Sequence, residues 1–187
     1  MRRVIVQEFV SIDGLVAGSD GSVDFVPATT SGDRSFGDRQ LSFIDSVDTM
    51  LLGRRTYEMF AGYWPNVTEG EDKEFAAKIN NLRKVVFSST LDEAPWGTFE
   101  AGQVVQDIDE VATLKRAGGK DLVVWGSISL AQSLMDAGLV DEYQLIVCPV
   151  VLGAGKRLFR EQDDELELVD TRSFDGGTVL LSYRPRR

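Results

Sequence analysis

Three stretches of this chain set Gly or Ser, followed by polar residues, directly after an apolar run, an order of residue types suited to holding a phosphate. The clearest is Met50-Leu51-Leu52-Gly53-Arg54-Arg55-Thr56-Tyr57-Glu58. Gly53 is expected to let the backbone turn closely, and the helix beginning there offers unpaired amides and the positive end of its dipole. Arg54 and Arg55 add full charges, so an anion is the expected guest. The second stretch is Lys84-Val85-Val86-Phe87 into Ser88-Ser89-Thr90, and the third is Leu122-Val123-Val124-Trp125 into Gly126-Ser127-Ile128-Ser129. Three such handovers in one chain suggest a dinucleotide.

Composition narrows the chemistry around them. The 187 residues are 43% hydrophobic and 27% charged, enough for one buried core and short for two, so a single domain over 1–187 is expected. A formal net charge of −10 argues against a nucleic-acid surface, and any anion site must therefore be local. The chain has no histidine, which removes imidazole as an acid, base or metal ligand. No metal site is expected. Cys148 lies inside the apolar run Leu145-Ile146-Val147-Cys148-Pro149-Val150 and reads as a small buried hydrophobe rather than a nucleophile. Residues 1–10 are too short and too polar at Gln7 and Glu8 for a signal peptide or membrane span, so a cytoplasmic protein without membrane contact is expected. Asn66-Val67-Thr68 matches a glycosylation sequon by chance.

Periodicity then places these stretches on elements. A strand over 4–10 ends in the turn Ser11-Ile12-Asp13-Gly14, and a Gly-punctuated connection follows. Leu41, Ile44 and Val47 predict a helix over 38–47 feeding a strand over 49–52. A helix from 54 to 60 breaks at Gly62-Tyr63-Trp64-Pro65, and an acidic stretch leads into a second helical segment ending near Asn81. Tyr63 and Trp64 would either pack a helix end or cover a substrate ring, and packing is favoured. A short strand at 104–105, a helix over 109–117, a helix face from Ile128 to Met135 and a strand over 142–151 come next. Runs at 166–174 and 178–184 flank Asp175-Gly176-Gly177, a hairpin signal. The pattern predicts an α/β fold: three α/β/α layers on a mixed, mainly parallel sheet that ends in an antiparallel hairpin.

In order and spacing, Ser11-Ile12-Asp13-Gly14, Gly53-Arg54-Arg55-Thr56-Tyr57-Glu58, Ser88-Ser89-Thr90 and the block from Ala137 to Gly155 resemble the dihydrofolate reductase-like superfamily. Specifically, the chain resembles the reductase domain of the bacterial bifunctional riboflavin deaminase-reductase, as a stand-alone member. The resemblance implies an NADPH-dependent oxidoreductase and a homodimer. It implies that Gly53, Arg54, Arg55 and Thr56 contact cofactor phosphates, that Ser88 and Ser89 meet the adenosine 2′-phosphate, and that Gly126, Ser127, Ile128 and Ser129 meet the pyrophosphate. Paired arginines suit NADPH better than NADH, because the extra phosphate gives them a bidentate partner. Asp13 matches the family's Leu-Asp-Gly element and becomes the catalytic or substrate-binding candidate. The chain departs from the family at Trp125, where a Glu is common, and at Ser127, where a Gly is common. With no His and one Cys in these residues, a zinc deaminase part is not expected among them.

Each assignment has a plainer counterpart. Arg54-Arg55 as a solvated helix start would oppose the dipole at about 0.3–1 kcal/mol each, a conflict that a bound phosphate removes. Ser88-Ser89 as a turn cap, Gly126-Ser127 as a helix N-cap and Asp13 as a turn former all remain open. The expected function is hydride transfer from NADPH to a small heterocyclic substrate (a pteridine, or a riboflavin-pathway pyrimidine) or to a carbonyl. The alternative is a non-catalytic nucleotide or small-molecule binder on the same fold.

Overall fold

The computed structural model describes residues 1–160 and 164–186. Its strands in chain order are β1 (Val4–Ser11), β2 (Ala17–Gly18), β3 (Val47–Gly53), β4 (Arg83–Phe87), β5 (Ala94–Trp96), β6 (Phe99–Val105), β7 (Asp121–Trp125), β8 (Glu142–Cys148), β9 (Gly155–Lys156), β10 (Leu166–Ser173) and β11 (Val179–Pro185). Nine of them form one sheet in the order β10-β11-β8-β1-β7-β3-β4-β6-β5. The six from β8 to β6 run parallel, while β11, β10 and β5 join at the edges through antiparallel pairs. This is the mixed, mainly parallel sheet with a terminal hairpin that the sequence predicts. The central strands are apolar on both sides because helices cover both faces.

The helices are α1 (Phe25–Thr30), α2 (Arg34–Ile44), α3 (Arg54–Tyr63), α4 (Lys73–Asn81), α5 (Glu110–Arg116) and α6 (Ile128–Asp136). On one face, Phe43 and Ile44 of α2, Tyr57 of α3 and Ile79 of α4 pack on Ile5, Met50, Leu52, Val86 and Val123. On the other, Val111 and Leu114 of α5 with Leu130, Ala131 and Leu134 of α6 pack on Val4, Val6, Leu51, Leu122 and Val124. Alternate residues of each strand feed the two clusters, and each fully buried Leu, Val or Ile contributes about 1.5–3 kcal/mol.

Several boundaries differ from the sequence reading for identifiable reasons. Helix α2 starts four residues early because Asp33 caps it, its Oδ1 accepting the Phe36 amide at 3.1 Å. Strand β8 stops at Cys148, since Pro149 has no N–H to continue the ladder. The Gly-punctuated connection contains α1, and the short strand at 104–105 extends back to Phe99 and is joined by β5. Beyond β4, no helix follows Ser88-Ser89-Thr90; the chain turns into β5 instead, so the second handover is a strand-to-turn junction. Gly53 has φ −78° and ψ 159°, ordinary extended values, and a Cβ there would touch Ser127 no closer than 3.7 Å. The close turn attributed to its glycine is not needed.

Strands β2 and β9 tie the loop after β1 to the loop after β8. A Cβ on Gly155 would lie 2.1 Å from the Ala17 carbonyl oxygen, a distance no side chain tolerates. We therefore expect Gly155→Ala to separate this pair and to cost about 1–3 kcal/mol in urea unfolding, with the main sheet's far-UV signal retained.

Candidate active site

Two crossovers diverge between β7 and β3. From β3 the chain passes through α3 and α4 to β4, while from β7 it passes through α6 on the opposite face to β8. Right-handed connections running in opposite directions must lie on opposite faces, which opens a crevice at the carboxyl ends of the two strands. The starts of α3 and α6 meet there. The Gly53 amide donates to Ser127 Oγ at 2.9 Å, and the Ser127 amide donates to Thr56 Oγ1 at 2.8 Å. Ser127 holds φ +56° and ψ 44°, the one non-glycine residue with positive φ among those described, at a cost of about 1–2 kcal/mol. Gly126 before it also has φ +56°, and a Cβ there would press on Thr56 Cγ2 at 3.0 Å. Here glycine is required by both conformation and space.

The cross-link determines which groups remain for a ligand. Ser127 occupies the N-cap position of α6, but its hydroxyl serves Gly53 rather than its own helix. The amides of Ile128, Ser129 and Leu130 have no carbonyl within the helix to bond, and neither do those of Arg54, Arg55 and Thr56 at the start of α3, which has no side-chain cap. Arg54 and Arg55 are exposed beside them. The ion pair from Arg54 to Glu58, at 3.6 Å, is a surface contact of small value.

The remaining predicted residues fall on the same edge of the sheet. Asp13 follows β1, Gly126–Ser129 follow β7, Gly53–Thr56 follow β3 and Ser88-Ser89 follow β4, the ends of four consecutive strands spanning about 14 Å at the usual spacing. Ser88 Oγ accepts the amides of Thr90 and Leu91, both at 3.1 Å, so it caps its own turn, while Ser89 is exposed. Asp13 clamps two loops. Its Oδ1 accepts from Ser11 Oγ at 2.7 Å and from the Leu152 amide at 3.1 Å, and its Oδ2 accepts the Gly153 amide at 2.7 Å. The Ser11 hydroxyl and these amides lower its pKa to about 2, so at neutral pH it is a carboxylate without a proton to give.

Trp125 is 7% exposed, and its indole N–H donates to Gln7 Oε1 at 2.8 Å. Gln7 also receives Gln40 Nε2 at 3.0 Å and donates to Gln144 Oε1 at 2.9 Å; Gln144 in turn donates to Glu142 at 2.9 Å. The indole thus fills its position as a satisfied wall, flanked by Phe43 and Phe75. Trp64 packs on Phe60 and Phe75, as favoured from the sequence, and Tyr63 is half exposed with its hydroxyl on Asp72. Cys148 is buried, and burial pushes its thiol pKa up.

Sequence reasoning missed Glu8. It lies on β1 just past the last β1–β7 pair, Gln7 with Trp125, and is 6% exposed. Its Oε1 has no hydrogen-bond partner, and burial raises its pKa well above the carboxylate range. A carboxylate at an inward position of a strand apolar on both sides was the available signal. Away from this edge, a concavity lined by Met135, Gly138, Tyr143, Leu166 and Pro185 lies at the amino ends of the strands, opposite the helix starts. No helix among the described residues is long and apolar enough to cross a membrane.

Such a sheet, with its crevice between two helix starts, is a dihydrofolate reductase-like fold. The dihydrofolate reductase of Enterococcus faecalis, in complex with NADP(H), superposes with a TM-score of 0.65 at 12% identity, over 99% of this chain and 97% of that one. A riboflavin biosynthesis protein from Shewanella sp. PV-4 superposes with a TM-score of 0.74 at 22% identity, over 99% of each chain. In sequence, the uncharacterized protein YyaP of Bacillus subtilis is 35% identical over 185 residues, 97% of this chain and 94% of YyaP. The model of the RibD C-terminal domain matches residues 2–180, and the chain belongs to that family of reductase domains.

Two outcomes follow from the carboxyl groups. In Asp13→Asn, we expect faster hydrogen exchange at the Leu152 and Gly153 amides, with the exchange of β1 and β7 unchanged. Glu8, with its pKa raised in the folded state, adds stability below the unfolded carboxyl pKa and loses it as pH rises toward the folded value. Glu8→Leu is therefore expected to raise the thermal midpoint more at pH 8 than at pH 4, and an equal shift at both would contradict this.

Proposed function

We propose that the protein is an NADPH-dependent reductase that transfers a hydride to a small heterocyclic or carbonyl substrate. The observation that carries this reading is the meeting of two uncapped helix starts, with exposed Arg54 and Arg55 beside them, at the switch point of a parallel sheet. The residues fit the cofactor. The first-turn amides of α6 at Ile128 and Ser129 would hold the pyrophosphate, with Gly126 allowing close approach and Ser127 and Thr56 fixing the two helices against each other. Arg54 and Arg55 would pair with phosphates, and Ser88 and Ser89 would border the 2′-phosphate at the end of β4. NADPH, when bound, supplies the hydride.

In this reading Asp13 is a positioning residue. It holds the loops after β1 and β8 together at the rim of the crevice and keeps its negative charge there. Trp125 and Phe43 pack edge to face in the core on the α2 side and support the floor of the sheet there rather than facing a ligand. The protein is read as a homodimer, for which the exposed Leu168 and Val169 of edge strand β10 offer an apolar surface. A second reading, a non-catalytic nucleotide binder, is favoured by two observations: Asp13 has no proton to give, and the Trp125 indole N–H is taken by Gln7.

Titration with NADPH and NADH, followed by nicotinamide fluorescence, tests the cofactor site. Wild-type protein is expected to prefer NADPH by about ten- to a hundredfold, the range of one or two charge-assisted hydrogen bonds, and the double variant Arg54→Ala, Arg55→Ala to lose that preference. Failure to bind either nucleotide would sink the reading. Binding without NADPH oxidation across a panel of pteridines, pyrimidines and carbonyl compounds would favour the second one.

A further inference from the structure

Glu8 is an anomaly in energetic terms. Alternation along β1 places its side chain on the face covered by α5 and α6, between Val6 and Val10 and in register with Leu145, all three belonging to the apolar cluster there. A carboxyl in such surroundings without a partner costs far more than the leucine or valine that would fit the pattern. Its neighbours leave room for one. Pairing of β1 with β7 ends at Gln7 and Trp125, whereas β1 stays paired with β8 as far as Ser11 and Cys148. The next residue of β7's chain is Gly126, which has no side chain and turns away with φ +56°. On the helix above, position 131 is a fully buried alanine. Glu8 therefore sits at a fork in the sheet beside the crevice, where β7's chain turns away at Gly126, with an orphaned oxygen.

We propose that the Glu8 carboxyl is the hydrogen-bond partner of an amide edge, –CO–NH–, on a ring bound at the β1/β7 fork. Burial favours the protonated form of this side chain. A carboxylic acid presents an O–H donor beside a C=O acceptor, and an amide edge presents the complementary acceptor and donor, so the two close a ring of paired hydrogen bonds. A cationic partner fits worse, because it would draw a bare ion pair into an apolar cluster. The chemistry has two sources, the carboxamide of a nicotinamide ring or the lactam edge of a pyrimidine or pteridine. The inference rests on the NADPH reading only for the first of them.

The experiment measures binding, not turnover, for wild type, Glu8→Gln and Glu8→Leu. Glutamine keeps one donor and one acceptor; leucine keeps neither and fills the space. The ligands are NADPH, its reduced 3-acetylpyridine analogue, in which a methyl group replaces the amide nitrogen, and pteridine-2,4-dione. If the carboxamide is the source, wild type and Glu8→Gln bind NADPH about tenfold more tightly than the analogue, and Glu8→Leu binds the two alike. If the substrate is the source, pteridine-2,4-dione weakens about tenfold in Glu8→Leu and holds in Glu8→Gln, whatever NADPH does. NADPH and pteridine-2,4-dione binding in Glu8→Leu that matches wild type overturns the assignment while leaving the cofactor reading intact. Pteridine-2,4-dione binding that depends on Glu8, in a protein that binds no NADPH, upholds the assignment and removes the cofactor reading. A wild-type protein that binds none of the three ligands overturns both. The thermal midpoint of unliganded Glu8→Leu, at or above that of wild type, verifies that the leucine variant is folded.

Discussion

The contact on which this site depends is the reciprocal pair of hydrogen bonds between the start of α3 and the start of α6, Gly53 to Ser127 and Ser127 to Thr56. One serine, in a backbone conformation that costs energy, spends both its amide and its hydroxyl on the neighbouring strand's helix instead of capping its own. Two helix starts are thereby held side by side with their first-turn amides unspent. A serine that capped α6 in the ordinary way would have stabilised the helix and closed the anion site with the same atoms. The strain at residue 127 and the readiness of the crevice for a phosphate are thus two aspects of one arrangement.

Much of this was readable in the chain. The βα handovers at Gly53 and Gly126 are local in sequence, so residue types alone announced them, and the hairpin at Asp175-Gly176-Gly177 was equally plain. Elements that depend on distant partners were not. Strand β5 exists because Trp96 and Ala94 find β6 and the apolar face beneath α3 and α4, and α2 begins at Arg34 because of a cap at Asp33 that lies outside the apolar period. At the site, position was legible and the bonding of each side chain was not. Asp13 follows β1 at the edge of the crevice, but its bonds to Leu152 and Gly153 join residues about 140 apart, and these amides, with the Ser11 hydroxyl, favour its charged form in a way no local pattern announces. Glu8 was passed over because a single carboxylate in an apolar strand looks like noise until the sheet shows that both of its faces are buried.

Charge is distributed unevenly between the two ends of the sheet. At the amino ends of the strands, Arg2 pairs with Asp48, Arg3 with Asp121 and Glu142, Arg184 with Glu142, and Lys115 with Asp141, a set of partners that neutralise one another. At the carboxyl ends, Arg54 and Arg55 sit exposed at the positive end of a dipole, and Arg54 makes a long surface ion pair with Glu58. On a chain with a net charge of −10, that local imbalance attracts anions to one edge while the rest of the surface repels them.

The row of amides across β8, β1 and β7 has a direction. Arg3 donates to Glu142, which can only accept; Gln144 must therefore turn its NH2 toward Glu142 and its oxygen toward Gln7, and Gln7 must offer its oxygen to the indole N–H of Trp125. No member can flip alone without setting two donors or two acceptors face to face. The row behaves like a line of dominoes already leaning one way: an acceptor fixed at Glu142 sets, amide by amide across three neighbouring strands, the direction in which the Trp125 indole N–H must point.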